Sequence, residues 1–79
     1  MHNVHLPPDP EGMNDLRAGR ARAALHAFAA VCATDWEDAL SDLLCDLMHL
    51  SDRDPAFDFS ESLARAEAHY EAETAVQAS

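Results

Sequence analysis

Residues 34–55, TDWEDALSDLLCDLMHLSDRDP, decide the fold. Trp36, Leu40, Leu43, Leu44, Leu47, Met48 and Leu50 recur at steps of three and four, and at about 100° per residue they cover half the circumference of a helix. Thr34-Asp35-Trp36-Glu37 has the form of a capping box, in which the Thr hydroxyl serves the third helical N–H and Glu37 reaches back to the cap. At the other end Pro55 disfavours helix at Asp54, and Asp52-Arg53-Asp54 supply turn residues. The spacing predicts a helix over 35–51, with Leu43 and Leu47 in a core and Trp36 packed beside them.

Upstream, Ala21, Ala24, Leu25, Phe28, Val31 and Cys32 share one arc, Asn14 is a plausible N-cap and Asp15 favours a first turn, so a helix is expected over 14–33. The link to the next helix is then so short that the two must form a hairpin or corner. Downstream, Asp58-Phe59-Ser60-Glu61 repeats the capping box and opens a third helix over 58–76. Its stripe of Phe59, Leu63, Ala66, Tyr70 and Thr74 is narrow enough for one groove between the other two helices. Residues 1–12, MHNVHLPPDPEG, carry three Pro and a Gly and read as an extended arm from which Val4 or Leu6 could dock. The expectation is all-α: a small antiparallel three-helix bundle over 13–79 with an extended N-terminal arm over 1–12.

A chain of 79 residues builds one small core, so a partner or a second copy would add stability, and a homodimer is one possible partner state. Two Gly, four Pro, no Lys and abundant Ala and Leu suit helices rather than strands. Cys32 and Cys45 match no zinc spacing and are expected as free thiols. No segment has the length and apolarity of a membrane span and the first residues lack signal-peptide order, so a cytoplasmic location without membrane contact is expected.

The charge is −10 overall, yet residues 1–34 balance to zero, because twelve of the fifteen acids follow Thr34 and only Arg53 and Arg65 oppose them. A field of one sign attracts cationic surfaces and repels nucleic acid. Arg17, Arg20 and Arg22 form the lone basic cluster, so direct nucleic-acid binding is disfavoured and the expected partner is a basic protein surface.

Asp38, Asp42 and Asp46 follow one another every four residues, with about 6 Å of rise between neighbours, and Cys45 and His49 join them on one arc of the second helix. Like charges at that spacing cost a few tenths of a kcal/mol per pair. Three readings fit: a solvated acidic face, a surface that imitates nucleic-acid phosphates and docks into a basic groove, and a metal site from Asp42, Cys45, Asp46 and His49. No metal or cofactor is expected, because one exposed helix face rarely supplies four ligands in tetrahedral order. Glu67 and Glu71, with His69 nearby, add an acidic strip to the third helix, and Glu61 is placed to pair with Arg65. The candidate partner-binding residues are Asp38, Asp42, Asp46 and His49, followed by Glu67 and Glu71. No nucleophile motif or Gly-rich phosphate loop is present, so no enzymatic activity is expected.

The segment DWEDALSDLLCDLMHL (35–50), followed by FDFSESLARAEAHYEAET (57–74), resembles the small acidic helical accessory proteins of conjugative plasmids, integrative elements and phages. Such elements also encode anti-CRISPR proteins, many of them short, acidic and without enzymatic motifs. The resemblance implies a non-enzymatic inhibitor or modulator that docks on a nucleic-acid-handling complex such as a CRISPR effector. It implies no particular binding residues. A self-associating accessory protein whose acidic surface only confers solubility, or a metal-binding helical module, are the alternatives.

Overall fold

A computed structural model describes residues 6–75. Three helices account for most of them: α1 (Met13–Cys32), α2 (Trp36–Arg53) and α3 (Phe59–Thr74), with no strand among the described residues. The all-α, three-helix expectation holds, and each observed boundary lies within two residues of the one expected. Residues 1–5 of the arm, with His2, Val4 and His5, lie outside the described residues, as does the expected helix end at 76.

The first helix is capped from a distance. Asp9-Pro10-Glu11-Gly12 forms a tight turn in which the Gly12 N–H donates to the Asp9 carbonyl at 3.1 Å. This is the turn chemistry of Asp at the first position, Pro at the second and Gly at the fourth. Gly12 takes φ 71°, a left-handed conformation that glycine reaches without the steric cost of a Cβ. The turn brings the Asp9 carboxylate over the helix end, where Oδ1 accepts from the Asn14 N–H and Oδ2 from the Asp15 N–H, both at 3.0 Å. Asn14 is therefore not the N-cap. It lies inside α1, and its side chain is free for another contact.

The α1–α2 corner turns at Ala33, whose φ of 52° is left-handed and whose N–H donates to the Ala29 carbonyl. The N-cap of α2 is Asp35, with no side-chain cap bond, so the capping box expected at Thr34 does not form. Thr34 stands one residue too early, and its hydroxyl instead donates to Asp42 Oδ2 at 2.7 Å, tying the corner to the second turn of α2. His26 of α1 stacks on Trp36, with ring centroids 4.3 Å apart and planes 19° from parallel. Beneath these contacts Ala39 is 0% exposed, with Leu25, Phe28, Ala29 and Leu43 half-buried around the corner.

The α2–α3 corner is held by hydrogen bonds. The Ser51 hydroxyl donates to the Phe57 carbonyl at 3.1 Å and accepts from the Phe59 N–H at 2.9 Å. Asp58 caps α3 as expected, its Oδ1 accepting from the Glu61 N–H at 3.0 Å. Glu61 does not reach back; its carboxylate pairs with Arg65 at 2.9 Å. A third meeting point joins the end of α3 to the start of α1. Asn14 Nδ2 donates to the Glu73 carbonyl at 2.9 Å, and Arg17 Nε lies 3.4 Å from Glu73 Oε2.

Most side chains of the three helices remain exposed. Among the described residues Ala39 alone is buried. Two expectations are corrected by this. The apolar side of α2 is not a sealed core, since Trp36, Leu40, Leu44, Leu47, Met48 and Leu50 are all exposed. The stripe of α3 is not seated in a groove between α1 and α2 either: Phe59 and Thr74 are half-buried at its ends, and everything from Ser60 to Glu73 is exposed. On α1, Val31 is 85% exposed although it shares the arc of Phe28.

Candidate functional site

The acidic ridge exists as a physical surface. Asp38, Asp42, Asp46 and His49 all lie on α2 and all are exposed. No Arg bridges to any of the three carboxylates among the described residues, where the ion pairs are Arg17–Glu73 and Arg65–Glu61. Asp42 is held by the Thr34 hydroxyl, which fixes one of its two carboxylate oxygens. The Ser41 hydroxyl donates to the Asp38 carbonyl at 3.2 Å, and Arg53 Nη1 donates to the His49 carbonyl at 3.0 Å. Both bonds use the main chain, so the Asp38 and His49 side chains stay available.

Arg53 sits in the last turn of α2, where its charge complements the helix dipole. It is spent on the carbonyl of its own helix rather than on the ridge. Arg17 is spent similarly, on Glu73 and on Asn14 Oδ1 at 2.7 Å. Among the described residues Arg20 and Arg22 of α1 make no ion pair.

Glu67 and Glu71 are exposed on α3 and flank a shallow depression with Ala66 and Tyr70. That depression is lined by α3 residues alone. Of the six candidate residues, four lie on α2 and two on α3. Among the described residues no three His, Cys, Asp or Glu groups converge as metal ligands, and this includes Asp42, Cys45, Asp46 and His49. Cys32 and Cys45 are exposed thiols.

Two features escaped the sequence reading. One is the cleft between the Asp9–Asn14 turn and the last turn of α3, about 700 Å³ in volume and lined by Pro8, Pro10, Met13, Arg17 and Glu73 among others. Asp9-Pro10-Glu11-Gly12 carried the signal for the turn, but nothing local indicated that α3 would return to it. The other is an apolar groove between α2 and α3, with Leu47, Leu50, Phe59, Leu63 and Ala66 in its walls. Those residues appear in the periodic pattern; what the pattern lacks is whether the chain covers them.

No helix among the described residues is long and apolar enough to cross a membrane. No protein-family model, no curated protein and no solved structure matches this chain.

Proposed function

We propose that the chain is a non-enzymatic acidic binding module that docks on a basic surface of a cytoplasmic nucleic-acid-handling protein, as an anti-CRISPR-like inhibitor or modulator. The observation that carries this reading is the row of Asp38, Asp42 and Asp46, exposed on one side of α2 and without an Arg partner. A rigid helix that holds single charges about 6 Å apart presents an evenly spaced anionic track, and a protein groove lined with Arg and Lys is built to accept such a track. His49 extends the row by one turn. Glu67 and Glu71, exposed on α3, offer a second contact for a partner large enough to reach both helices. The resemblance of residues 35–50 and 57–74 to accessory proteins of mobile elements supports the class of partner.

The test is kinetic. The protein is used to capture a complex from host lysate with salt-graded elution, and the purified complex is then assayed for inhibition and for association rate. The triple variant Asp38→Asn, Asp42→Asn, Asp46→Asn is expected to associate on the order of tenfold more slowly, and the parent's rate is expected to fall steeply with salt, as electrostatic steering requires. Equal association rates and equal inhibition by parent and variant would remove the ridge from the mechanism.

A further inference from the structure

The three carboxylates of the ridge are alike in the sequence and unlike in the structure. Among the described residues Asp42 is the one of the three whose side chain accepts a hydrogen bond, from the Thr34 hydroxyl to Oδ2 at 2.7 Å. Asp38 is engaged only through its main-chain carbonyl, by Ser41, and no ion pair holds the carboxylate of Asp38 or Asp46. The donor to Asp42 lies eight residues upstream and off its helix, in the link between α1 and α2.

Thr34 is itself held in place. Its N–H donates to the Ala29 carbonyl at 3.2 Å, and the N–H of the left-handed Ala33 donates to the same carbonyl, so the link is pinned to the last turn of α1. A β-branched side chain is stiff at χ1, and Thr34 is half-buried. The hydroxyl is therefore offered from a fixed backbone on a side chain with few rotamers. Exposed side chains without such a restraint exchange between staggered rotamers in picoseconds to nanoseconds, and Asp38 and Asp46 are of that kind.

We infer that Thr34 is a positioning residue for the ridge: by holding Asp42 in one rotamer it makes the middle carboxylate the one that grips a cationic partner, with Asp38 and Asp46 supplying field. This rests on the reading of the ridge as a docking surface. The physical reason is the cost of ordering. A side chain immobilised on binding loses freedom at that moment, whereas Asp42 has lost it on folding. Long-range attraction depends on the number of charges, so the three acids contribute alike to association; the grip that resists dissociation depends on how well each is held. The Thr34 bond takes one acceptor position on Oδ2 and leaves Oδ1 for a partner's N–H.

Two measurements on the whole chain test this. In the free protein, Hα–Hβ coupling constants from NMR read χ1 of each ridge residue; one rotamer is expected for Asp42 and averaged couplings for Asp38 and Asp46. Thr34→Val should leave Asp42 averaged, and Thr34→Ser, which keeps the hydroxyl, should restore the single rotamer. No partner enters this arm, so it judges the positioning independently of the docking reading. The second arm uses as probe an Ala-rich helical peptide with Arg at every fourth position. Asp38→Asn, Asp42→Asn and Asp46→Asn are each expected to slow its association about twofold. Asp42→Asn and Thr34→Val should speed its dissociation on the order of fivefold, and Thr34→Val should add nothing in the Asp42→Asn background. An averaged Asp42 in the parent overturns the inference, as does a Thr34→Val variant that keeps the probe as long as the parent or longer. If the three Asn variants speed dissociation equally and Thr34→Val does not, the ridge stands and the inference alone falls; if no Asn variant alters the probe's kinetics, both fall.

Discussion

The two corners of the chain solve the same problem with different materials. At the α1–α2 corner a small residue, Ala39, lets the helices approach, and the His26–Trp36 stack and the Thr34–Asp42 bond close over it. At the α2–α3 corner the fastening is polar, through Ser51 and Asp58, and the large apolar side chains beside it stay open. A corner built on a small buried residue is complete within one chain. At the second corner the aliphatic groups flank the hinge without covering each other.

The sharpest contrast is expected at Leu47. Truncation to Ala should cost about 2 to 5 kcal/mol where a second copy covers the face, the usual range for a buried Leu. In a half-exposed monomeric setting the loss would be nearer 1 kcal/mol. Urea unfolding of parent and variant at high and low protein concentration separates the two, and a small loss at both would place the open corner on the same footing as the closed one.

Ala39→Leu probes the other corner. With Ala39 fully enclosed, the added methyl and methylene groups have no space, and overpacking should cost about 1 to 3 kcal/mol at any protein concentration. A variant as stable as the parent would mean that α1 and α2 are free to part there.

The smallest effects compare the two polar fastenings. Ser51→Ala removes both a donor and an acceptor and should cost about 1 kcal/mol, while Thr34→Ala breaks one exposed bond and should cost about 0.5 kcal/mol. Equal midpoints for the two variants in chemical denaturation would contradict the ranking.

The helices were legible because their signals are local. The periodic run from Trp36 to Leu50, the cap at Asp58 and the break at Pro55 act within a few residues, and the observed helices follow them closely. The caps that misled did so for a geometric reason. Asp9 serves N–H groups five and six residues away, which a spacing rule centred on Asn14 does not anticipate, and Thr34 follows the left-handed Ala33 one residue before the N-cap Asp35, its hydroxyl bonding to Asp42. The core was misjudged because periodicity identifies the apolar side of a helix, and Leu40 or Met48 would read the same whether that side met α1, α3 or another molecule. Of the candidate site, the ridge is visible from the four-residue spacing alone. The placement of Glu67 and Glu71 relative to it depends on where α3 is sent by the turn at 54–58, which the spacing on either helix does not encode.

The contact between Asn14, Arg17 and Glu73 has a consequence for how the molecule breathes. It joins groups 59 residues apart in sequence, so closing it fixes the two ends of nearly the whole chain relative to each other. For a flexible loop that entropy scales as about (3/2)RT ln n, several tenths of a kcal/mol for each doubling of length. What opposes it is an exposed amide bond and an ion pair in partial contact with water, each worth about 1 kcal/mol or less. The latch between the last turn of α3 and the first turn of α1 is consequently the place where the chain opens first. Amide exchange there should be fast and governed by local opening, while the Ala39 corner exchanges only when the fold itself comes apart.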